Sequence, residues 1–393
     1  MKTDDFPTKK IYRIGIDARL YQIPGGIGRY CRELINGLEK TDDENKYYIF
    51  LNKEGYDLYN PSKPNFHKIL ADVGWYGFAE QIKMPAIWKK AEVDLMHFTH
   101  FNKSIFYRKP YVVTIHDLTY SITAREGLKI SKLPPIIYTI KQLVYERLIK
   151  DVIKKARKII VPSYNSKQDI IGAYRMKSDK VAVTYESVDK SFSPNEKKQI
   201  FKDLNERFGI MKENYFIYVG NASPHKNLRR LILAFNIVAR EKKNIQLVLA
   251  GKKEKFYAAL EDWVTKENLG DGRIIFTGVV TDEELQALLA NSYACTFPSL
   301  AEGFGIPPLE AMASGVPVLT SVCSCLPEIC ENSAIYFNPY LPESIAEKMK
   351  MIIENPKMRK DFIKAGLNHI KKFSWEKMAE ETVAVYEEVL GKK

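Results

Sequence analysis

Pro298-Ser-Leu-Ala-Glu302-Gly-Phe-Gly-Ile-Pro-Pro-Leu-Glu310-Ala-Met-Ala-Ser-Gly-Val-Pro-Val is the stretch whose reading decides how this chain folds. The apolar run at 294–297 before it reads as a short strand, Gly303 and Gly305 mark a loop, and Pro307 with Pro308 marks the first turn of a helix. Strand, glycine loop and helix in that order form a unit of a parallel α/β sheet. Two carboxylates separated by seven residues fall on different parts of it, Glu302 in the loop and Glu310 on the helix, so both can face one pocket. The glycines let backbone approach a ligand, and free amides at the helix start favour a phosphate. A carboxylate accepts hydrogen bonds from vicinal hydroxyls, which suits a ribose and a sugar ring. Spacing alone also fits a surface loop whose glutamates are solvated or cap a helix.

Working outward, the same alternation continues in both directions. Apolar runs at 215–219, 246–250, 274–277, 318–320 and 334–337 read as strands, with a helix from Leu228 to about Arg240 and another after the capping box Thr281 with Glu284. Toward the N-terminus, 13–16 reads as a strand and Gly25-Gly26 as a turn, while Ile27, Tyr30, Leu34 and Leu38 recur at helical spacing. Further runs follow at 47–51, 95–98, 111–115, 159–161 and 181–183. The chain therefore reads as two Rossmann-like α/β domains, 1–190 and 191–372, with the polar segment 187–214, broken by Pro194, holding the linker. Residues 373–393 form a closing helix whose stripe of Phe373, Trp375, Ala379, Val383, Tyr386 and Val389 or Leu390 must dock on something.

Composition fits this division. A chain of 393 residues is longer than one compact core usually grows, and 45% apolar residues can fill two. The net charge is +12, carried almost wholly by the first half: 33 basic against 22 acidic residues up to Lys190, and 27 against 26 beyond it. Such asymmetry points the first domain toward something anionic, such as a phospholipid surface, or reflects no more than solvated lysines. Five cysteines include Cys323, Cys325 and Cys330, but no histidine or fourth cysteine stands at zinc spacing beside them, so thiols and no metal are expected. The N-terminus is charged through Lys10 and the following apolar run is too short for a signal peptide, which predicts a cytoplasmic protein.

The segment holding Glu302 and Glu310 resembles the E-x7-E signature of the family-4 retaining glycosyltransferases, which have the GT-B fold of two facing Rossmann-like domains. Other segments match in order: Asp17-Ala-Arg-Leu with Gly25-Gly-Ile-Gly-Arg-Tyr30, Thr114-Ile-His116-Asp117-Leu, Tyr218-Val-Gly-Asn-Ala-Ser-Pro-His-Lys226-Asn-Leu, and the terminal Phe373-Ser-Trp375 helix, which in the family crosses back to the N-terminal domain. The resemblance implies that the second domain binds a nucleotide-diphosphate sugar, GDP- or UDP-linked, as substrate, with no further cofactor. Lys226 would pair with the diphosphate, Glu310 with the ribose hydroxyls and Glu302 with the donor sugar, with Asn221 in the diphosphate loop and backbone contacts from Gly303, Phe304, Gly305 and Ile306. From the first domain, Gly25, Gly26 and Gly28 would shape the loop over phosphates and acceptor, and His116 would meet the donor sugar; Asp117 reads equally as a turn cap. Gly278 to Val280 and Leu285 lie where the family places its nucleobase. Two departures stand out: Asn221 where many relatives carry arginine, and Ser187 in Tyr185-Glu-Ser187-Val-Asp189 where relatives often carry glycine.

The implied reaction is retaining, metal-independent hexosyl transfer of the mannose or glucose type to a glycan or lipid-linked acceptor, with His116, Glu302 and Lys226 at the reacting centre. Another enzyme on the same fold, an epimerase or a phosphorylase, and a non-catalytic polyanion-binding scaffold are the alternatives. No nucleic-acid partner is expected. Peripheral docking on the inner face of the cell membrane would use 125–158, where Lys129, Lys132, Lys141, Lys150, Lys154 and Lys155 interleave with apolar residues that core packing could equally claim.

Overall fold

The computed structural model describes residues 10–75, 77–118 and 135–391. Their order is β1 (Arg13–Asp17), α1 (Gly26–Thr41), β2 (Lys46–Leu51), α2 (Lys53–Leu58), β3 (Phe66–Leu70), α3 (Phe78–Lys90), β4 (Leu95–Phe98), β5 (Tyr111–Thr114), α4 (Pro135–Lys155), β6 (Lys158–Val161), α5 (Tyr164–Tyr174) and β7 (Val181–Val183) in the first half. The second half runs α6 (Lys198–Phe208), β8 (Tyr215–Val219), α7 (Leu228–Glu241), β9 (Gln246–Ala250), α8 (Lys255–Lys266), β10 (Ile274–Gly278), α9 (Asp282–Ala290), β11 (Ala294–Phe297), α10 (Ile306–Ala313), β12 (Val318–Ser321), α11 (Leu326–Cys330), β13 (Ile335–Phe337), α12 (Pro342–Glu354), α13 (Pro356–His369) and α14 (Trp375–Leu390).

The strands form two parallel sheets, one seven-stranded in the order β3-β2-β1-β4-β5-β6-β7 and one six-stranded in the order β10-β9-β8-β11-β12-β13. Strands such as β4, β5, β9, β11 and β12 are buried at every residue, because helices cover both faces of a parallel sheet. These are the two Rossmann-like domains expected. In each sheet the order reverses beside the first strand, between β1 and β4 and between β8 and β11. Crevices at such switch points take ligands at the carboxyl ends of the strands. The loops there carry Gly25, Thr99, Gly220 and Glu302.

Two elements differ from the sequence reading. β3 escaped it, and the polar stretch 187–214 contains α6, which buries Phe201 and Leu204 and stacks Phe201 on Tyr215 at 6.3 Å. The capping box at α9 forms as read, with the Glu284 amide donating to Thr281 Oγ1 and the Thr281 amide to Glu284 Oε2.

α14 lies along α1. A side chain at Gly37 would come within 2.6 Å of Ala379 Cβ, so this close crossing requires glycine. The buried stripe of α14 is Trp375, Met378, Ala379, Thr382, Val385 and Tyr386, with Val383 only half-buried. Tyr386 closes on β4, its hydroxyl 2.6 Å from His97 Nδ1. The domains also meet directly. Glu328 of α11 accepts from the amides of Tyr164 and Asn165 at the start of α5, at 2.7 and 2.8 Å, and from the Tyr185 hydroxyl at 2.9 Å. A carboxylate there satisfies amides that the helix cannot.

No described helix is long and apolar enough to cross a membrane. Of the segment 125–158, residues 125–134, including Lys129 and Lys132, lie outside the described residues. On α4, Ile136, Leu143 and Val144 are exposed.

Candidate active site

The second domain supplies the two carboxylates from β11 and α10, as the spacing implies. Glu302, in the loop after β11, accepts two hydrogen bonds from Lys226 Nζ, at 2.6 and 2.8 Å. Lys226 ends a single helical turn, Pro224–Lys226, after β8, and its ammonium also lies 5.6 Å from the centre of the Phe297 ring. Glu310 sits one turn inside α10 and is 3% exposed. Its partner comes from the other domain: Arg29, in the first turn of α1, forms an ion pair with Glu310 Oε1. Burial pushes the Glu310 pKa up against the pull of Arg29, and Asp282 and Asp189 add to the rise. Arg29 is held charged: burial opposes its cation, but Glu310, Asp282 and Asp189 outweigh that.

Gly303 brings the domains to backbone contact. A Cβ there would lie 1.9 Å from the His116 carbonyl oxygen, and the Gly303 carbonyl accepts from Ser163 and Ser166 hydroxyls at 2.7 and 3.2 Å. Gly305, at φ +96°, turns the chain into α10, where Ile306 is the first residue. Phe304 faces inward, its ring 6.0 Å from Tyr185 and 5.8 Å from Phe373, and its carbonyl accepts from Cys325. Asn221 is exposed and its side chain accepts from the Ser223 amide at 3.0 Å. Gly25 and Gly26 lead into α1, and Gly28 packs where a side chain would strike the Ile23 carbonyl. Val280 and Leu285 pack on the core.

His116, just beyond β5, faces an acceptor on each side. Nε2 lies 3.0 Å from the Thr99 carbonyl and Nδ1 lies 3.2 Å from Glu186 Oε1. A carbonyl and a carboxylate only accept, so this geometry favours protons on both nitrogens. Burial would depress the imidazolium, but Glu186, the Thr99 carbonyl and Asp117 together raise its pKa above the ordinary 6.5. Two nearby imidazoles behave oppositely: burial and the His116 charge push His97 and His100 down to about 3. His97 is bonded to Tyr386 and Thr114, and Tyr30 shares the Thr114 hydroxyl while presenting its ring edge-on to His116 at 4.7 Å.

Deeper in the first domain, Asp17 and Arg19 form a paired buried salt bridge that Glu80 completes at 2.7 Å. The thiols of Cys31, Cys295, Cys325 and Cys330 are buried and that of Cys323 is half-buried, all of them free. No cluster of three metal-ligating side chains occurs among the described residues.

Arg29, Glu186, Thr99 and Glu328 are the residues that sequence reading missed. Arg29 stands inside the quoted glycine loop and Glu186 beside Ser187 in a quoted segment, so position in a motif was the available signal. Their partners lie in another domain or 70 residues away, and no local period reveals that.

The comparisons agree with this architecture. Residues 24–192 match the profile of Glycosyltransferase Family 4 and residues 196–369 that of Glycosyl transferases group 1. The O-antigen chain mannosyltransferase RfbU of Salmonella typhimurium is 29% identical over 77% of this chain and 76% of its own. O-antigen chain mannosyltransferase B of Escherichia coli is 26% identical over 72% of this chain and 74% of its own. Among solved structures, a sucrose-phosphate synthase from Thermosynechococcus elongatus superposes with a TM-score of 0.73 over 97% of this chain and 100% of that one, at 19% identity. HepE of Anabaena, solved with UDP and glucose, gives 0.70 over 96% and 100%, at 17% identity. With a matching profile on each half and the GT-B arrangement of two facing Rossmann-like domains between them, the chain belongs to glycosyltransferase family 4.

Proposed function

We propose that the cleft transfers a hexose, of the mannose type, from a GDP- or UDP-linked donor to a hydroxyl of a glycan or lipid-linked acceptor, with retention at the anomeric carbon and without a metal ion. The observation that carries this reading is the pair of carboxylates Glu302 and Glu310, each ion-paired to its own cation, the second across the two domains. Breaking the bond from the anomeric carbon to phosphate leaves negative charge on the diphosphate and positive charge on the sugar. Lys226 and the amides at the start of α10 meet the former, and fixed charges of this kind act without reorganising during the reaction. In this reading Glu302 holds the sugar and Glu310 the ribose. The acceptor oxygen bonds to the anomeric carbon on the face the phosphate leaves and gives its proton to the departing diphosphate oxygen, which needs no enzymic nucleophile. The mannosyltransferase relatives favour mannose over glucose.

The first domain is proposed to face an anionic membrane bearing the acceptor. Its share of the net charge and the exposed Ile136, Leu143 and Val144 on α4 support that docking, and co-sedimentation with phosphatidylglycerol vesicles, weakened by salt, tests it.

The test of the transferase reading is thermal stability against GDP-, UDP- and ADP-sugars in EDTA, with Glu310→Ala alongside. A donor at 100 times its dissociation constant adds about 2.7 kcal/mol to the native state. Stabilisation by one nucleotide class, diminished in the variant, supports the donor site. Incubation with acceptor then gives a glycoside whose anomeric configuration is read by NMR. A product epimerised within the nucleotide sugar, or a sugar phosphate released by inorganic phosphate, would replace transfer by epimerase or phosphorylase chemistry.

A further inference from the structure

The donor loop after β8 offers a diphosphate little positive charge. Between Gly220 and Asn227 only Lys226 is a permanent cation, and its ammonium already makes two hydrogen bonds to Glu302. Asn221 is uncharged, and burial beside Lys226 pushes His225 toward its neutral form. A second cation of the site, likewise ion-paired with a carboxylate, is on the other domain. Arg29 reaches out of α1 to Glu310, the carboxylate that the donor reading assigns to the ribose.

We propose that Arg29 is the second cation of the donor site: as the ribose hydroxyls take the Glu310 oxygens, its guanidinium passes to the diphosphate. This rests on the donor-site reading above. Glu310 stands one turn, ~5.4 Å of helix rise, inside α10, and helical side chains lean toward the N-terminus, so the guanidinium paired with it is drawn toward the helix start where the free amides lie. The planar fork suits phosphate oxygens as well as it suits a carboxylate. The exchange leaves no charge stranded. Glu310, almost wholly buried, trades one set of donors for another, and Arg29 trades one anion for another. Asp189, Asp282 and the Phe192 ring, 5.9 Å from the guanidinium, favour the cation at its present position. Because Arg29 belongs to the first domain and the phosphate would sit on the second, the same contact couples donor binding to the approach of the acceptor side.

The test is calorimetric titration of the full chain, wild type and Arg29→Gln, with GDP and UDP and with guanosine and uridine. Arg29→Gln should weaken the nucleoside diphosphate by about ten- to a hundredfold, the worth of a charge-assisted contact, while the matching nucleoside binds equally or more tightly. Arg29→Lys, which keeps a charge should the glutamine variant not fold, should give the same crossed pattern at smaller amplitude. Tightening of diphosphate and nucleoside together would make Arg29 a mere competitor for Glu310 and overturn the proposal. Parallel weakening of both, or no change in either, would make it a structural clamp, with the same result. If the wild type binds neither diphosphate, the donor-site reading itself has failed, and that is seen before any variant is compared.

Discussion

The two glutamates of the cleft have partners of opposite kinds. Glu302 takes Lys226 from a loop of the same sheet, and both residues were readable from motifs of the second domain. Glu310 takes Arg29 from across the cleft. The first pair is a property of one domain, whereas the second exists only while the domains face each other. A charge pair inside a domain sets chemistry, and a pair between domains can also report on closure.

The largest effect should come from the pair within the second domain. Lys226→Ala is expected to lower the transfer rate by roughly 10²–10³-fold, the cost of removing one preorganised donor from a developing anion, in single-turnover assays at saturating donor. An equal loss from a surface lysine such as Lys255 would erase the distinction between site and field.

The interdomain pair should weigh more on stability. Glu310→Ala leaves the half-buried Arg29 without its main partner and should cost about 2 kcal/mol in urea unfolding. Lys226 is buried to a similar degree, so Glu302→Ala should also cost stability, but it leaves the interdomain ion pair intact. Replacing both Arg29 and Glu310 by apolar residues should recover much of the loss, because no charge is then stranded.

A third pair, His116 with Glu186, lies within the first domain and can be read by pH. The folded pKa of His116 is raised, so its contribution is present below 6.5 and is lost as pH climbs through the raised value. His97 and His100, held near 3, act in reverse and withdraw stability as pH falls below 6.5. Subtracting the Glu186→Gln profile from wild type isolates His116 among Asp117, Tyr30, His97 and His100. The stability gap should be widest below pH 6.5 and narrow above it. A gap independent of pH would show that Glu186 acts by packing alone.

The smallest effect should come from the closing helix, which holds the domains whatever the cleft charges do. The Ser374 hydroxyl accepts from the Lys377 amide at 3.2 Å, and Ser374→Ala should cost about 1 kcal/mol without altering transfer.

The fold was legible because parallel strands covered on both faces are continuous apolar runs, and most of them could be marked to within a residue or two. β3 was not, because only Phe66 of its five residues is buried and an edge strand lacks that run. α6 hid in a polar segment because only Phe201 and Leu204 of it are fully buried, with Ile200 and Phe208 packing on the core in part. At the site, glycines and glutamates declared themselves through spacing. Arg29 did not, since an arginine on a helix reads as solvated unless its partner, 281 residues on, is known to face it. Phe304 was read for its backbone, and its side chain proves to be part of the aromatic contact with Tyr185 and Phe373.

Since α14 packs on the first domain, the described polypeptide passes between domains twice, once before α6 and once beside Phe373. Two strands of covalent chain act as two pins of a door: they fix a line about which one body can swing and forbid most other relative motions. The same double passage makes the halves poor candidates for separate expression. A fragment stopping at Lys190 would carry α1 with Gly37 and Leu34 bared where Ala379 and Trp375 belong, and would need residues 373–393 supplied as a peptide to be whole.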